Sequence, residues 1–107
     1  MMLELGVNNF QLEIDKHEDM LLLFHANWCG HCKNMMPEFE RFANEGYDGV
    51  KIARIDCSLD NNKEICQANQ IKSYPTMKFF DHHYMIDFSP EKRTAESIKK
   101  KLDNILK

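Results

Sequence analysis

No segment of this chain is apolar for long enough to enter a bilayer. The longest unbroken apolar run is Met20 to Phe24, whereas a membrane helix needs about 20 such residues, so no membrane partner is expected. A cationic excess is missing as well. The 14 Lys and Arg stand against 17 Asp and Glu, a formal charge of −3 at pH 7. Nothing in that balance would neutralise a phosphate backbone, and nucleic acid is not expected as a partner. The opening Met1-Met2-Leu3-Glu4-Leu5 has neither the basic leader nor the apolar core of a secretory signal. Two locations stay open: the cytoplasm if the chain is complete as written, or an oxidising compartment if a signal was removed. Internal repeats, low-complexity tracts and linkers are also lacking, which leaves residues 1–107 as a single domain.

What is present fits a folded core. Hydrophobic residues make up 43% and charged residues 29% of the 107, a balance that excludes disorder and collagen-like fibres. A chain of this size buries roughly two-thirds of the surface it exposes when unfolded. Four cysteines occur, Cys29, Cys32, Cys57 and Cys66, and four cysteines allow three pairings. Cys29 and Cys32 form a Cys-x-x-Cys within Trp28-Cys29-Gly30-His31-Cys32-Lys33. That spacing alone also serves zinc.

The apolar pattern predicts the order β-α-β-α-β-α-β-β-α. Leu3 to Leu5 opens as a short strand, and Asn8 caps a helix to about Lys16 with Phe10 and Ile14 on one face. Met20 to Ala26 reads as a central strand covered on both sides. A helix starts near Cys29 and carries Met35, Met36, Phe39, Phe42 and Ala43 at helical spacing, with a kink expected at Pro37. Val50 to Asp56 is a strand and Asn61 to Asn69 a short helix. Thr76 to Phe80 and Tyr84 to Phe88 form an antiparallel hairpin across Asp81-His82-His83. Thr94 caps a last helix with Ala95, Ile98, Leu102 and Ile105 on one face. The class is α/β, with helices flanking a mixed central sheet.

This order, with Trp-Cys-Gly-His-Cys-Lys directly after a buried strand, resembles the thioredoxin fold. It is closer still to a catalytic domain of the protein disulfide isomerase family, over nearly the whole chain. Phe24-His25-Ala26-Asn27-Trp28-Cys29 is similar to the lead-in to that family's active site, and Pro37-Glu38-Phe39 to its active-site helix. Tyr74-Pro75-Thr76 is similar to its cis-proline loop, and Arg93-Thr94 to the arginine that opens its last helix. The resemblance implies a thiol-disulfide oxidoreductase that forms or rearranges disulfides in unfolded or folding proteins containing cysteine. It also implies a recycling oxidase or reductase as partner, a monomer, no cofactor and no metal, and the endoplasmic reticulum lumen if a signal was removed. Two other readings stand beside it: a cytosolic thioredoxin-like reductase, and a module that binds unfolded chains with slow redox chemistry.

In the implied mechanism Cys29 attacks the substrate and Cys32 resolves the mixed disulfide. A helix N-terminus at Cys29 favours its thiolate, the only nucleophilic form, and Cys32 lies one turn on along the same face. Gly30 and His31 complete the motif. A cationic His31 would stabilise the reduced form and make the disulfide a stronger oxidant. Trp28, Tyr74 and Pro75 are the expected substrate ledge, the backbone of Tyr74 pairing with an extended chain as a strand would. Some isomerase-like domains carry a second cysteine pair where Cys57 and Cys66 lie, and a structural disulfide there is preferred over two free thiols. The chain also departs from the family. Leu23 stands where the family has a buried acid beneath the second cysteine, so that half of a charge pair with Arg54 is missing. Arg93 is the remaining group expected to act on Cys32. His82 and His83 are adjacent in a turn, a poor arrangement for a metal.

Overall fold

The computed structural model describes residues 2–107. The elements are β1 (Met2–Leu5), α1 (Phe10–Ile14), β2 (Asp19–His25), α2 (Gly30–Glu45), β3 (Lys51–Asp56), α3 (Lys63–Ala68), β4 (Thr76–Asp81), β5 (Met85–Phe88) and α4 (Ala95–Leu106), with a 3₁₀ turn at Asp60–Asn62. Among these residues five strands form one sheet in the order β1-β3-β2-β4-β5. β1, β3 and β2 run parallel, while β4 and β5 join antiparallel. This is the mixed sheet with flanking helices that the pattern predicts.

β2 is central because its side chains are apolar on both faces. Leu21 and Leu23 pack with Met35, Phe39 and Phe42 of α2 and with Ile98 and Leu102 of α4. Met20, Leu22 and Phe24 face the opposite cluster, with Ala53, Ile55 and partly buried Phe10, Ile14 and Ile65. β3 divides in the same way, Ile52 to the first cluster, Ala53 and Ile55 to the second. β3 is therefore also a strand covered on both faces. α2 runs unbroken through Pro37 and buries Cys32, Met35, Phe39, Phe42 and Ala43. At its end Gly46 adopts φ 75°, a left-handed conformation open to glycine without steric cost.

α1 differs from the sequence expectation. It covers Phe10–Ile14, and Asn9 rather than Asn8 holds the cap position. The Asn9 side chain does not cap the helix. Its Oδ1 accepts from the Gly6 N–H at 2.8 Å and its Nδ2 donates to the Glu4 carbonyl at 3.0 Å, tying the turn to β1. The helix stops before Lys16 because the next bonds are short-range, Lys16 N–H to Glu13 and His17 N–H to Ile14, and His17 then turns left-handed at φ 53°. In α4 Thr94 accepts from the Ser97 N–H as expected, but Ile105 is 38% exposed, so the apolar stripe ends at Leu102.

Asn62, 4% exposed, joins distant segments. Its Oδ1 accepts from the Val7 N–H at 3.1 Å and its Nδ2 donates to the Asp56 carbonyl at 3.0 Å. Removing it leaves a partly buried amide and a carbonyl without this partner, a cost of about 1–3 kcal/mol. Asn62→Ala should therefore lower the urea midpoint with an unchanged slope. A midpoint equal to the wild type would mean that the loop does not depend on this side chain.

Candidate redox site

The site forms where β2 ends and α2 begins. Ala26 is buried, Asn27 and Trp28 turn outward, and Cys29 takes the N-cap position of α2 with extended backbone (φ −87°, ψ 114°). The Cys29 sulfur accepts a hydrogen bond from the Cys32 N–H at 3.2 Å, satisfying one of the free donors at the helix start. Its S–H donates to the Tyr74 carbonyl at 3.5 Å. The Tyr74–Pro75 peptide is cis. Both thiols are free, Cys29 6% and Cys32 1% exposed.

The two sulfurs differ in environment. Burial pushes the Cys32 thiol up to about 11, helped by its hydrogen bond with Cys29; the Ala26 backbone amide and the Arg93 charge act in the opposite direction. Cys32 is thus held as a neutral thiol at pH 7. Arg93 is exposed, and its place beside the site is set by the start of α4. That start is pinned to α2, because Glu38 accepts from the Ala95 N–H at 3.0 Å and Arg41 pairs with Glu96 at 2.8 Å.

Trp28 is 68% exposed and meets Tyr74 edge to face, ring centroids 5.6 Å apart. Two grooves flank this aromatic pair. One, of about 340 Å³, runs from Trp28 and Tyr74 past Ser58 to Cys57 and Cys66. The other, of about 370 Å³, lies beyond Pro75 and is lined by Ser73, Asp87 and Arg93. His31 is exposed and makes no hydrogen bond or ion pair among the described residues, so any effect on Cys29 is through its charge. A Cβ at Gly30 would meet open space, so packing does not require glycine there.

Cys57 and Cys66 are joined as a disulfide, with Cα atoms 6.0 Å apart, closing the loop between β3 and α3. In the chain-entropy picture a loop of this length contributes about 2–3 kcal/mol. Replacing both cysteines by alanine should destabilise the protein by that amount in urea denaturation while leaving the first alkylation of Cys29 unchanged. An unchanged midpoint would show that this link does not constrain the unfolded chain.

Leu23 is fully buried, and no carboxylate lies at its position. Arg54, its register partner on β3, is not left alone: Nε contacts Glu4 at 2.7 Å and Nη1 reaches Glu40 at 3.5 Å. The pair expected to be half missing is replaced by two pairs near the surface. Sequence reasoning also passed over His25, two residues beyond Leu23. Its Nε2 is buried without a hydrogen-bond partner among the described residues, and burial holds the ring below the usual histidine range, opposed by Asp56. The period of two along β2 was the available signal. His82 contacts Asp19 at 2.8 Å, and no group of three or more ligating side chains that could hold a metal occurs among the described residues.

Comparison with known proteins gives a consistent picture. The family model described as thioredoxin matches residues 1–104. The chain is 42% identical over 82 residues to protein disulfide-isomerase 1 of Dictyostelium discoideum, covering 72% of this chain and 22% of that protein. It is 39% identical over 84 residues to protein disulfide-isomerase A5 of Bos taurus, covering 77% of this chain and 16% of that one. It therefore spans about a fifth of the length of these relatives. Among solved structures, the J-Trx1 fragment of ERdj5 superposes with a TM-score of 0.84 at 19% identity, covering 99% of this chain and 52% of that one. The first thioredoxin domain of mouse protein disulfide-isomerase A4 superposes at 0.80 with 28% identity, covering 95% and 73%. The architecture is the thioredoxin fold.

Proposed function

The chain belongs to the thioredoxin family, and from that we propose that it is a thiol-disulfide oxidoreductase acting on protein substrates that contain cysteine. One observation carries the reading: a sulfur at a helix N-terminus is paired, one turn on, with a more deeply buried sulfur held neutral, both packed beside Tyr74 of the cis Tyr74–Pro75 peptide. Such a pair divides the work. Cys29 as thiolate attacks a substrate disulfide, the distal substrate sulfur leaves, and a mixed disulfide remains. Cys32 then attacks the Cys29 sulfur, forming Cys29–Cys32 and releasing the second substrate thiol. Run in reverse, the same steps donate a disulfide to a dithiol. Gly30 and His31 belong to this motif, and a cationic His31 favours the reduced form and hence oxidation of substrates.

Substrate is held, in this reading, along the ledge of Trp28, Tyr74 and Pro75 and in the grooves on either side of it. The ledge itself is aromatic and apolar, while the grooves mix apolar and polar lining, suiting extended unfolded chains without a fixed sequence. Arg93 lowers the cost of a Cys32 thiolate. A recycling oxidase or reductase must then reset the pair. The isomerase direction is supported by the named relatives and by Cys-Gly-His-Cys. The test is recovery of activity by a scrambled disulfide protein, run beside reduction of the chain by NADPH and thioredoxin reductase. Reactivation is the expected result. Efficient reduction by the reductase with no reactivation would instead support the thioredoxin-like reading, and neither would leave a binding module.

A further inference from the structure

We propose that Ser58 is a positioning residue for substrate capture: its hydroxyl holds the Asn27–Trp28 turn, and with it the Trp28 wall of the substrate ledge. The inference rests on the exchange reaction proposed above and names a side chain that shapes the surface on which its substrate is held.

The connection from β2 to α2 is short, and the chain at the end of β3 grips it at two points. At the base, the Cys57 N–H donates to the His25 carbonyl at 2.7 Å. Further out, the Ser58 Oγ accepts from the Asn27 N–H at 3.2 Å. Asp56 gives this second contact its direction. Its Oδ1 accepts from the Ser58 N–H at 2.9 Å and from the Ser58 hydroxyl. A serine hydroxyl has one proton to donate. With that proton committed to Asp56, the oxygen turns its lone pairs to Asn27. Asp56 is itself fixed: it is the register partner of His25, and its carbonyl accepts from Asn62 Nδ2 at 3.0 Å.

Trp28 and Cys29 depend on this tie to different degrees. The Trp28 ring is 68% exposed and touches Tyr74 edge to face, so its place is set mainly by its own backbone. That backbone follows directly on Asn27. Cys29 is held from within α2 instead, its sulfur accepting from the Cys32 N–H at 3.2 Å and its carbonyl from the Lys33 N–H at 3.1 Å. Asn27, Trp28, Ser58 and Tyr74 line one groove, so a shift of the turn alters both the ledge and the space beside it. Loss of the Ser58 hydroxyl therefore weakens the hold on an extended chain and leaves the reactivity of the Cys29 thiol as it was.

The test gives the reduced protein two reagents. The first is a short extended peptide whose cysteine is joined to thionitrobenzoate. Cys29 attacks the peptide sulfur, the bond to thionitrobenzoate breaks, and the coloured thiolate leaves. The second, iodoacetamide, is too small to need the ledge and reports the Cys29 thiolate alone. Ser58→Ala should slow peptide capture by about five- to tenfold and leave alkylation unchanged. The lost bond lies at the surface, so the variant should keep its fold. Ser58→Thr, which retains a hydroxyl, should restore capture. Trp28 is the single tryptophan of the chain, and its fluorescence anisotropy in the free protein should fall in Ser58→Ala but not in Ser58→Thr. In an Asn27→Pro background, which has no N–H to hold, adding Ser58→Ala should slow capture no further. Capture by Ser58→Ala at the wild-type rate would overturn the proposal. Slower capture with unchanged anisotropy would overturn it too, since Ser58 would then touch the substrate instead of holding the turn. So would a loss shared by both reagents, or a loss that threonine does not restore. A wild type that is alkylated but releases no thionitrobenzoate would instead refute the exchange reaction, and the anisotropy comparison would still decide whether Ser58 holds Trp28.

Discussion

Cys29→Ser removes disulfide exchange by more than about 10³-fold, and Cys32→Ser leaves the protein captured as a mixed disulfide with its substrate. The asymmetry of the two sulfurs requires this result. A serine hydroxyl at position 29 keeps the hydrogen bond from the Cys32 N–H but cannot supply a thiolate at neutral pH. The remaining thiol cannot replace it. Cys32 is 1% exposed and burial pushes its ionisation up to about 11, so it stays a neutral thiol at pH 7. Loss of a nucleophile in enzymes of this kind of chemistry typically costs three or more orders of magnitude. Iodoacetamide reports the same difference directly. In the reduced wild type it should label Cys29 first, and Cys32 should gain reactivity only as pH climbs towards its raised ionisation. Labelling of Cys32 ahead of Cys29 at pH 7 would reverse the assignment of attacking and resolving thiol.

Leu23→Glu should be among the most destabilising single substitutions in the chain, and its effect should depend on pH in a defined direction. Leu23 lies in the cluster with Met35, Phe39 and Phe79, with no solvent contact. A carboxylate there loses its hydration, and burial raises its ionisation by about three pH units. A carboxylate whose folded value is raised binds its proton more tightly in the native state. The cost is therefore smallest below the unfolded value near pH 4, where both states are protonated. It grows as pH rises towards the folded value, to about 3–4 kcal/mol more at pH 7 than at pH 4. Arg54 faces the same layer but is held by Glu4 and Glu40, so its charge offsets only part of the penalty. Urea denaturation at the two pH values measures the difference, and an equal cost at both would show that water or Arg54 reaches position 23.

Much of this molecule is local and therefore readable in the chain. The apolar run from Met20, the helical spacing from Met35 to Ala43 and the alternation around the Asp81 turn each report burial on one element, which periodicity alone expresses. Cys29 at a helix start, Cys32 one turn on, and Thr94 at the cap of α4 depend on neighbours within four residues. What only the tertiary structure decided are relations between residues remote in the sequence. Glu4 meets Arg54 because β1 and β3 are register partners, and Asn62 reaches Val7 across the same end of the sheet. Asn9 is drawn from helix capping by the Gly6 turn and the Glu4 carbonyl, a competition that cap preference does not contain. The same holds for the thiol ionisation of Cys32 and the empty Nε2 of His25. Both follow from burial, and desolvation is a property of the packing around a group rather than of the residue itself.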